Sequence, residues 1–455
     1  MQQLKLSRRH FLVGAGSVIG ATLVAGCVMP APAGTTAPAA AGEAAASTVG
    51  ALPDTLVEIE YWHRQGGDTA LLLEELAAEF SLAYEGQIKL TSLAQGNIQE
   101  LNQKVRAAAA GGGMPGALMG DDYDVTQYAF SDLLMPLEEY VADVEHGLSQ
   151  EQIDDILPNQ FNRHKLDIYD GHMMSFPQGF SGFTTYWNVD ALGKAGLEAP
   201  PASWDEFPDY ARTASAANDN LPAWLISGPG DRFISTLLTY GVEWLKPGGE
   251  ESNFDAPEAL EIMTWWRALA DEKLLAVSQE ARDLYMAQQN LHFMDSSGNA
   301  VRFQTSVTDF VWNAGLPPQR HSEASPITET YGPINVLPKT STEQQLAGWL
   351  WLKWLLTPEV HARYIQMTSY FPSTRSAVET ETLQAFYEAN PTARRLIDEI
   401  SVNARILSPS PALPEVRAVV TANTVQEVLL QQLSPEEGVK KLKAEADKAI
   451  RNAML

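Results

Sequence analysis

The chain holds a single cysteine, Cys27, in 455 residues. No internal disulfide can form, and no cysteine-rich zinc site. Positive charge is scarce as well: 31 lysines and arginines face 57 acidic residues, for a formal net charge of −26. That balance argues against nucleic acid as a partner, since phosphate binding needs clustered Lys and Arg. It argues equally against docking on anionic lipid through a basic patch. No HExxH segment and no close histidine pair offers a metal site, and no motif calls for a cofactor. What remains is ordinary: 45% hydrophobic and 19% charged residues, the composition of a soluble globular protein long enough for about two to three domains.

The little positive charge there is sits unevenly. Residues 1–27 carry Lys5, Arg8 and Arg9 and no acid, so the rest of the chain is more acidic still. Residues 11–26 (FLVGAGSVIGATLVAG) run without a charge, but sixteen residues fall short of the roughly 20 that span a bilayer. A basic start, a short apolar run and small residues at its end describe a secretory signal peptide. The run from Ser7 to Leu12 (SRRHFL) resembles a twin-arginine export motif. Val24-Ala25-Gly26-Cys27 resembles a bacterial lipobox, which makes Cys27 the expected site of lipid attachment and of membrane anchoring. Residues 28–53 are mostly Ala, Pro, Gly, Ser and Thr with no aromatic, so they read as a flexible tether, with the globular part beginning at Asp54. A domain outside the cytoplasm has no ATP or NADH supply, which weighs against many enzyme classes.

The body alternates between strand and helix patterns. Residues 55–62 alternate, with Val57, Ile59 and Tyr61 on one face. Asp68 or Thr69 is placed to cap a helix with Leu72, Leu73, Leu76 and Phe80 inward. Residues 87–93 read as a second strand. Asn97 and Glu100 have capping-box spacing ahead of a helix that stops at Gly111-Gly112-Gly113. Residues 117–119 form a third strand ending at Asp121-Asp122. This order predicts a mostly parallel sheet covered by helices, with ligands beyond the strand carboxyl ends. Further on, 171–177 and 184–188 read as strands, Ser203 to Glu206 as a second capping box, 256–270 as a helix, and 291–294 as a strand running into Asp295-Ser296-Ser297-Gly298-Asn299. A strand near 334–337 and a strongly apolar helix over 344–356 follow.

Several segments together resemble the bacterial extracellular solute-binding proteins of the carbohydrate type, the receptors of ABC importers. They are IEYWHRQGGD, DLLMPLEEYV, GHMMSFPQGFSGFTTYWNVDALGKAGLEAPPASWDEF, NLHFMDSSG and INVLPKTSTEQQLAGWLWLKWLLTPE. The stretch SYFPSTRSAV…LQAFYEANPTARRL…LPEVRAVV is most similar to the glycerol-3-phosphate-binding branch. The resemblance implies an α/β, two-lobed, type II periplasmic-binding-protein-like fold, each lobe a mostly parallel sheet flanked by helices. It implies a ligand cleft between lobes that close about a hinge, with 54–177 and 318–357 in one lobe and 178–317 and 358–455 in the other. The chain is expected to cross near 176–182, 315–320 and 355–365. The implied partners are a small carbohydrate or polyol phosphate and the membrane subunits of an ABC permease, with the receptor a monomer, free of cofactor and not an enzyme.

The resemblance also carries site residues. Tyr370 in Ser-Tyr-Phe-Pro and Arg417 in Leu-Pro-Glu-Val-Arg match ligand-binding positions of the glycerol-3-phosphate branch. Asp122 after the third strand, Ser181 after the proline-ended strand and the turn Ser296-Ser297, with Ser297 the main candidate, fall where the family places ligand contacts. Tyr331 stands in the strand entry Thr330-Tyr331-Gly332-Pro333, bulkier than the family pattern. Ile98 replaces a ligand tyrosine, and Pro229 and Arg232 replace a tryptophan pair, departures that put glycerol-3-phosphate itself in doubt. Of eleven tryptophans, Trp62 is the cleft candidate, because indole stacks on sugar faces; Trp266, Trp349 and Trp354 read as core. Two other readings compete: an extracellular carbohydrate-active hydrolase and a non-transport surface lipoprotein. The hydrolase needs a carboxylate pair or an activated nucleophile, and Gly179-Phe180-Ser181-Gly182-Phe183 lacks the final glycine of a nucleophile elbow. An Asp121-Asp122-Asp124 calcium site lacks loop spacing and reads as an acidic turn.

Overall fold

The computed structural model describes residues 47–165, 167–322 and 324–454. The signal peptide, the twin-arginine motif, Cys27 and tether residues 28–46 lie outside the described residues. The remainder of the expected tether is not free. Val49 is buried, and the Ser47 hydroxyl and the Thr48 amide both donate to the Asp143 carboxylate, at 2.9 and 2.7 Å. The ordered body therefore begins by Ser47 rather than at Asp54. Among the described residues no helix is long and apolar enough to cross a membrane.

The chain lays down β1 (Val57–His63), α1 (Gly67–Ala83), β2 (Ile88–Ala94), α2 (Ile98–Gly111), β3 (Ala117–Asp121) and α3 (Asp122–Phe130). β1 buries alternate residues and sets Tyr61 and His63 in the core. α1 begins at Gly67 with no side-chain cap; Asp68 lies inside the first turn, where its charge faces the helix dipole instead of capping it. α2 opens on the Asn97–Glu100 capping box and ends on Gly112, whose φ of 77° suits the left-handed C-cap. β4 is only Phe176–Pro177, because Pro177 has no N–H to continue a ladder. β5 (Ser181–Asn188) is buried throughout. β6 (Trp224–Ile226), α4 (Pro229–Thr239), β7 (Leu275–Val277), β8 (His292–Ser296), α5 (Asn299–Ser306), β9 (Trp312–Gly315), β10 (Thr328–Tyr331) and β11 (Pro333–Val336) follow, with α6 (Thr342–Leu355), α7 (Pro358–Thr368), α8 (Pro391–Asn403) and β12 (Ala404–Arg405). The expected helix start at Ser203 moves to Phe207: the Ser203 hydroxyl instead accepts from the Asp205 amide in a turn at 3.1 Å.

Two sheets result. The first has the order β2-β1-β3-β11-β4, and the second β12-β10-β5-β8-β6-β7 with β9 also paired to β5. β1, β2 and β3 are parallel, as their helical crossovers require. β11 is antiparallel to both its neighbours, and β5 is antiparallel to β8, β9 and β10. Both sheets are therefore mixed, the antiparallel members being the strands that enter from the crossing segments. Trp349 and Trp351 of α6 pack fully buried beside the first sheet, and Trp204 and Trp266 pack against Trp224 of β6 in the second.

The chain passes between the sheets at three places. The first is 177–181. The second is Gly332, which joins β10 of the second sheet to β11 of the first; residues 315–320 make no crossing, because β10 beyond them still pairs with β5. The third comes after α7, which packs on α1, so residues 355–365 stay with the first sheet. Phe371 then exchanges two backbone hydrogen bonds with Phe180, and α8 lies against β9 and β10.

Candidate functional site

The second and third crossings border a cavity of ≈ 730 Å³ between the two lobes, within the range of small-molecule sites. From the first lobe it receives what lies beyond the carboxyl ends of the strands: Arg64 after β1, Asp121 at the end of β3 and Asp124 in the first turn of α3, with Asn102 from α2. From the second lobe come Asp231 and Arg232 in the first turn of α4, and Asp295 and Ser296 at the end of β8. Tyr331 and Gly332 enter at the second crossing. Tyr370 follows Ser369, a left-handed residue at φ 61° that ends α7. Arg417 stands in a π-helical stretch, Val416–Thr421, set between Leu413–Glu415 and Ala422–Leu429. Such stretches recur at functional sites because the extra residue per turn re-aims side chains.

Charge in this cavity is paired. The Arg64 guanidinium donates to Asp121 at 2.7 Å and reaches the Tyr370 hydroxyl. Arg232 donates to Asp295 at 2.6 Å and lies 5.4 Å from the centre of the Phe183 ring. Arg417 contacts Asp231 through Nε and donates both Nη groups to Glu329, at 2.6 and 3.3 Å. Glu329 is fully buried and also accepts from the Ser235 hydroxyl. Desolvation and the neighbouring Asp121 push the Asp124 carboxyl up to about 7, against a hydrogen bond from Asn102. Burial acts to raise Asp231 too, but Arg417 and Arg232 hold it below the usual carboxylate range. Burial raises the Tyr331 hydroxyl, so it stays a neutral donor and acceptor. The site can thus offer rigid, oriented guanidinium and carboxylate groups to a ligand rich in hydroxyls.

Of the expected site residues, Tyr331, Tyr370 and Arg417 line this cavity together, with Ser296 from the expected turn. Four others are placed elsewhere. Trp62 projects from the opposite face of β1, against the apolar cluster that holds Leu101 and Leu118, and donates to Glu60 at 2.7 Å. Asp122 is paired with Arg163, and the interlobe slot it lines holds only ≈ 20 Å³, too little for a solute. Ser297 ties β8 to β5: its hydroxyl accepts from the Gly182 amide at 3.1 Å and its amide donates to the Gly182 carbonyl at 2.9 Å. Ser181 is fully buried with no hydrogen-bond partner for its hydroxyl, so no base activates it as a nucleophile. The acids of 121–124 are engaged by Arg64, Arg163 and Asn102. Arg64, Asn102, Asp124, Asp231, Asp295 and Glu329 were not singled out as ligand contacts from the sequence. For Arg64 and Asp295 a signal existed: both sit at strand carboxyl ends.

A second depression, ≈ 710 Å³, opens near the amino ends of β1 and β3. Its lysines are spent on acids, Lys89 on Glu58 and Lys339 on Asp132, and it lies at the opposite strand ends from those that gather ligands in such sheets.

Comparison with known proteins identifies the family and the fold. The family model described as bacterial extracellular solute-binding protein matches residues 75–394. The sn-glycerol-3-phosphate-binding periplasmic protein UgpB of Salmonella typhimurium is 22% identical over 391 residues, 81% of this chain and 84% of that protein. Its counterpart from Rhizobium meliloti is 25% identical over 358 residues, 73% of this chain and 79% of that protein. Among solved structures, the cyclic alpha-maltosyl-1,6-maltose binding protein of Arthrobacter globiformis superposes with a TM-score of 0.73 at 18% identity, covering 87% of this chain and 99% of that one. UgpB of Mycobacterium tuberculosis in complex with glycerophosphocholine gives 0.73 at 18%, covering 88% and 100%. At such identities these structures establish the fold.

Proposed function

The chain belongs to the bacterial extracellular solute-binding proteins, and on that premise we propose that it is the receptor subunit of an ABC-type importer for a sugar, oligosaccharide or polyol phosphate. Membership makes it an exported protein. The observation that carries the reading is the interlobe cavity beside the crossings at Gly332 and Tyr370, where Arg64, Arg232 and Arg417 are held by carboxylates from both lobes. A ligand touching both walls favours the closed arrangement through contacts that an open one lacks. Tyr331, Tyr370 and Arg417 are its proposed contacts, joined by Arg64, Arg232 and Asp295. Cys27 is the proposed lipid anchor, delivered by the twin-arginine route, and the permease is the proposed membrane partner of a monomer.

In this reading the role is binding: the buried Ser181 hydroxyl has no base beside it, and Asp121 and Asp295 are held by arginines, which supports a receptor over a hydrolase. A thermal-shift screen of the purified protein over sugars, oligosaccharides and glycerol phosphates tests this. A ligand at 100 times its Kd adds about 2.7 kcal/mol, enough to move Tm by several degrees. No shift with any of them overturns the receptor reading, and saturable hydrolysis of an oligosaccharide replaces it with the hydrolase.

A further inference from the structure

We infer that Glu329 sets the charge class of the ligand: by neutralising Arg417 from behind, it makes the cleft a receptor for an uncharged, hydroxyl-rich solute and not for a phosphate monoester. The inference rests on the receptor reading above. An arginine holds phosphate by presenting its planar fork, with charge to spare, to the anion's oxygens. Here that fork already faces a carboxylate. Both Arg417 Nη groups donate to Glu329, at 2.6 and 3.3 Å, and Nε contacts Asp231. Glu329 has no exposed surface and takes a third hydrogen bond from Ser235, so solvent cannot screen its charge.

The same balance holds across the cavity. Arg64 meets Asp121 and Arg232 meets Asp295. Three guanidinium groups therefore face four lining aspartates, with Glu329 behind them. A dianion entering this cavity meets no net positive charge and adds repulsion from each nearby carboxylate. A sugar meets paired donors and acceptors that match adjacent hydroxyls without any burial of net charge. Glu329 lies on β10 two residues before Tyr331, on the same side of the strand, but it does not itself line the cavity and acts through Arg417, which does.

Isothermal titration of the wild-type protein and of Glu329→Gln with maltose, maltotriose, sn-glycerol-3-phosphate and inorganic phosphate tests the assignment. Gln keeps an acceptor for Ser235 and removes one buried negative charge, while Asp231 still partners Arg417. The expected result is that the wild type prefers a neutral sugar, and that Glu329→Gln raises affinity for sn-glycerol-3-phosphate at least tenfold relative to that sugar. Asp231→Asn, at the half-exposed end of the same network, gives a second reading if the first variant folds poorly, with a gain of several-fold in the same direction. Equal changes for sugar and phosphate ester in both variants reduce Glu329 to a structural residue and overturn the inference. A wild type that binds sn-glycerol-3-phosphate more tightly than either sugar overturns it while leaving the receptor reading intact. No saturable binding of any of these probes, together with no response in the wider thermal-shift screen, removes the receptor reading and the inference with it.

Discussion

Arg417 reaches the cleft with its guanidinium bound to a carboxylate that water cannot touch, and this makes its removal a matter of stability as well as binding. Arg417→Ala takes the guanidinium partner from the buried Glu329 carboxylate. Breaking one side of such a pair costs about 3–5 kcal/mol, whereas replacing both sides by apolar residues is often close to neutral. Urea unfolding should therefore show Arg417→Ala destabilised by about 3 kcal/mol and Arg417→Met with Glu329→Leu much less so. Equal losses in the two variants contradict the pairing. Gly332 is a second residue whose role is geometric. Its φ is 147°, and a Cβ there would sit 3.0 Å from the Gly179 carbonyl oxygen and from Phe180 Cα at the adjacent crossing. Gly332→Ala should lower stability by about 1–3 kcal/mol through backbone strain, read as a lower urea midpoint; an unchanged midpoint shows that the crossing can open to admit the methyl. The motifs exposed Tyr370 and Arg417 because they stand in recognisable runs. Nothing local marked Glu329, since a glutamate in the strand Thr-Glu-Thr-Tyr reads as solvent-facing until β5 and α4 are known to cover it. Trp62 misled for the converse reason: adjacent residues of a strand face opposite sides, and Tyr61 and His63 had claimed the buried one.

At the scale of elements, legibility followed periodicity. β1 alternates and was plain, and so was the capping box of α2, whose Asn97 side chain accepts from the Glu100 amide at 3.0 Å while Glu100 returns to the Asn97 amide at 2.8 Å. β5 is buried along its whole length, so its near end at Ser181 carried no alternation to read, and the expected strand began at 184. The glycine–histidine stretch before Pro177 looked like a strand, but only Phe176 and Pro177 join the sheet, and Met173 makes an isolated bridge to Lys165. The π-helical turn at Val416–Thr421 has no sequence signature of its own; it depends on how Leu413–Leu429 packs between α3 and α4. α2 shows how an element's end serves the site. It brings Asn102 to Asp124 at 2.6 Å at the cavity wall. Asn97→Ala removes the cap and should cost about 1 kcal/mol, measured as global stability. It should also loosen Asn102, seen as faster amide exchange in the first two turns of α2 than elsewhere in the first lobe. Uniform exchange across the lobe contradicts a local role for the cap.

The whole molecule was legible as two lobes and in its first crossing, at 177–181, but not in the other two, because the passage from β10 to β11 interrupts what reads as one strand-rich segment. Its stability also has a direction in pH that no single residue sets. Burial holds four histidines neutral: His63 at about 4, His292 and His361 at about 3, and His164 well below its ordinary value, with Arg163 adding to the desolvation there. In the unfolded chain these groups titrate near 6.5. Below that pH the unfolded state binds protons that the folded state refuses, so stability present above 6.5 is lost as pH falls towards the folded values. Asp124 and Asp122 act the other way: burial raises both, so the folded state holds protons that the unfolded chain has released, and acid favours it. Asp124 offsets about one of the four imidazoles and Asp122 opposes in the same direction, so the excess is at most about three protons, a slope of no more than roughly 4 kcal/mol per pH unit between pH 6 and 5. Urea unfolding at pH 7, 6 and 5 should give a midpoint that drops steeply over the last interval. Asp124→Asn should steepen that drop, because it deletes one of the opposing groups without touching the histidines. A midpoint that is flat or rises towards pH 5 contradicts the neutral burial of the four imidazoles.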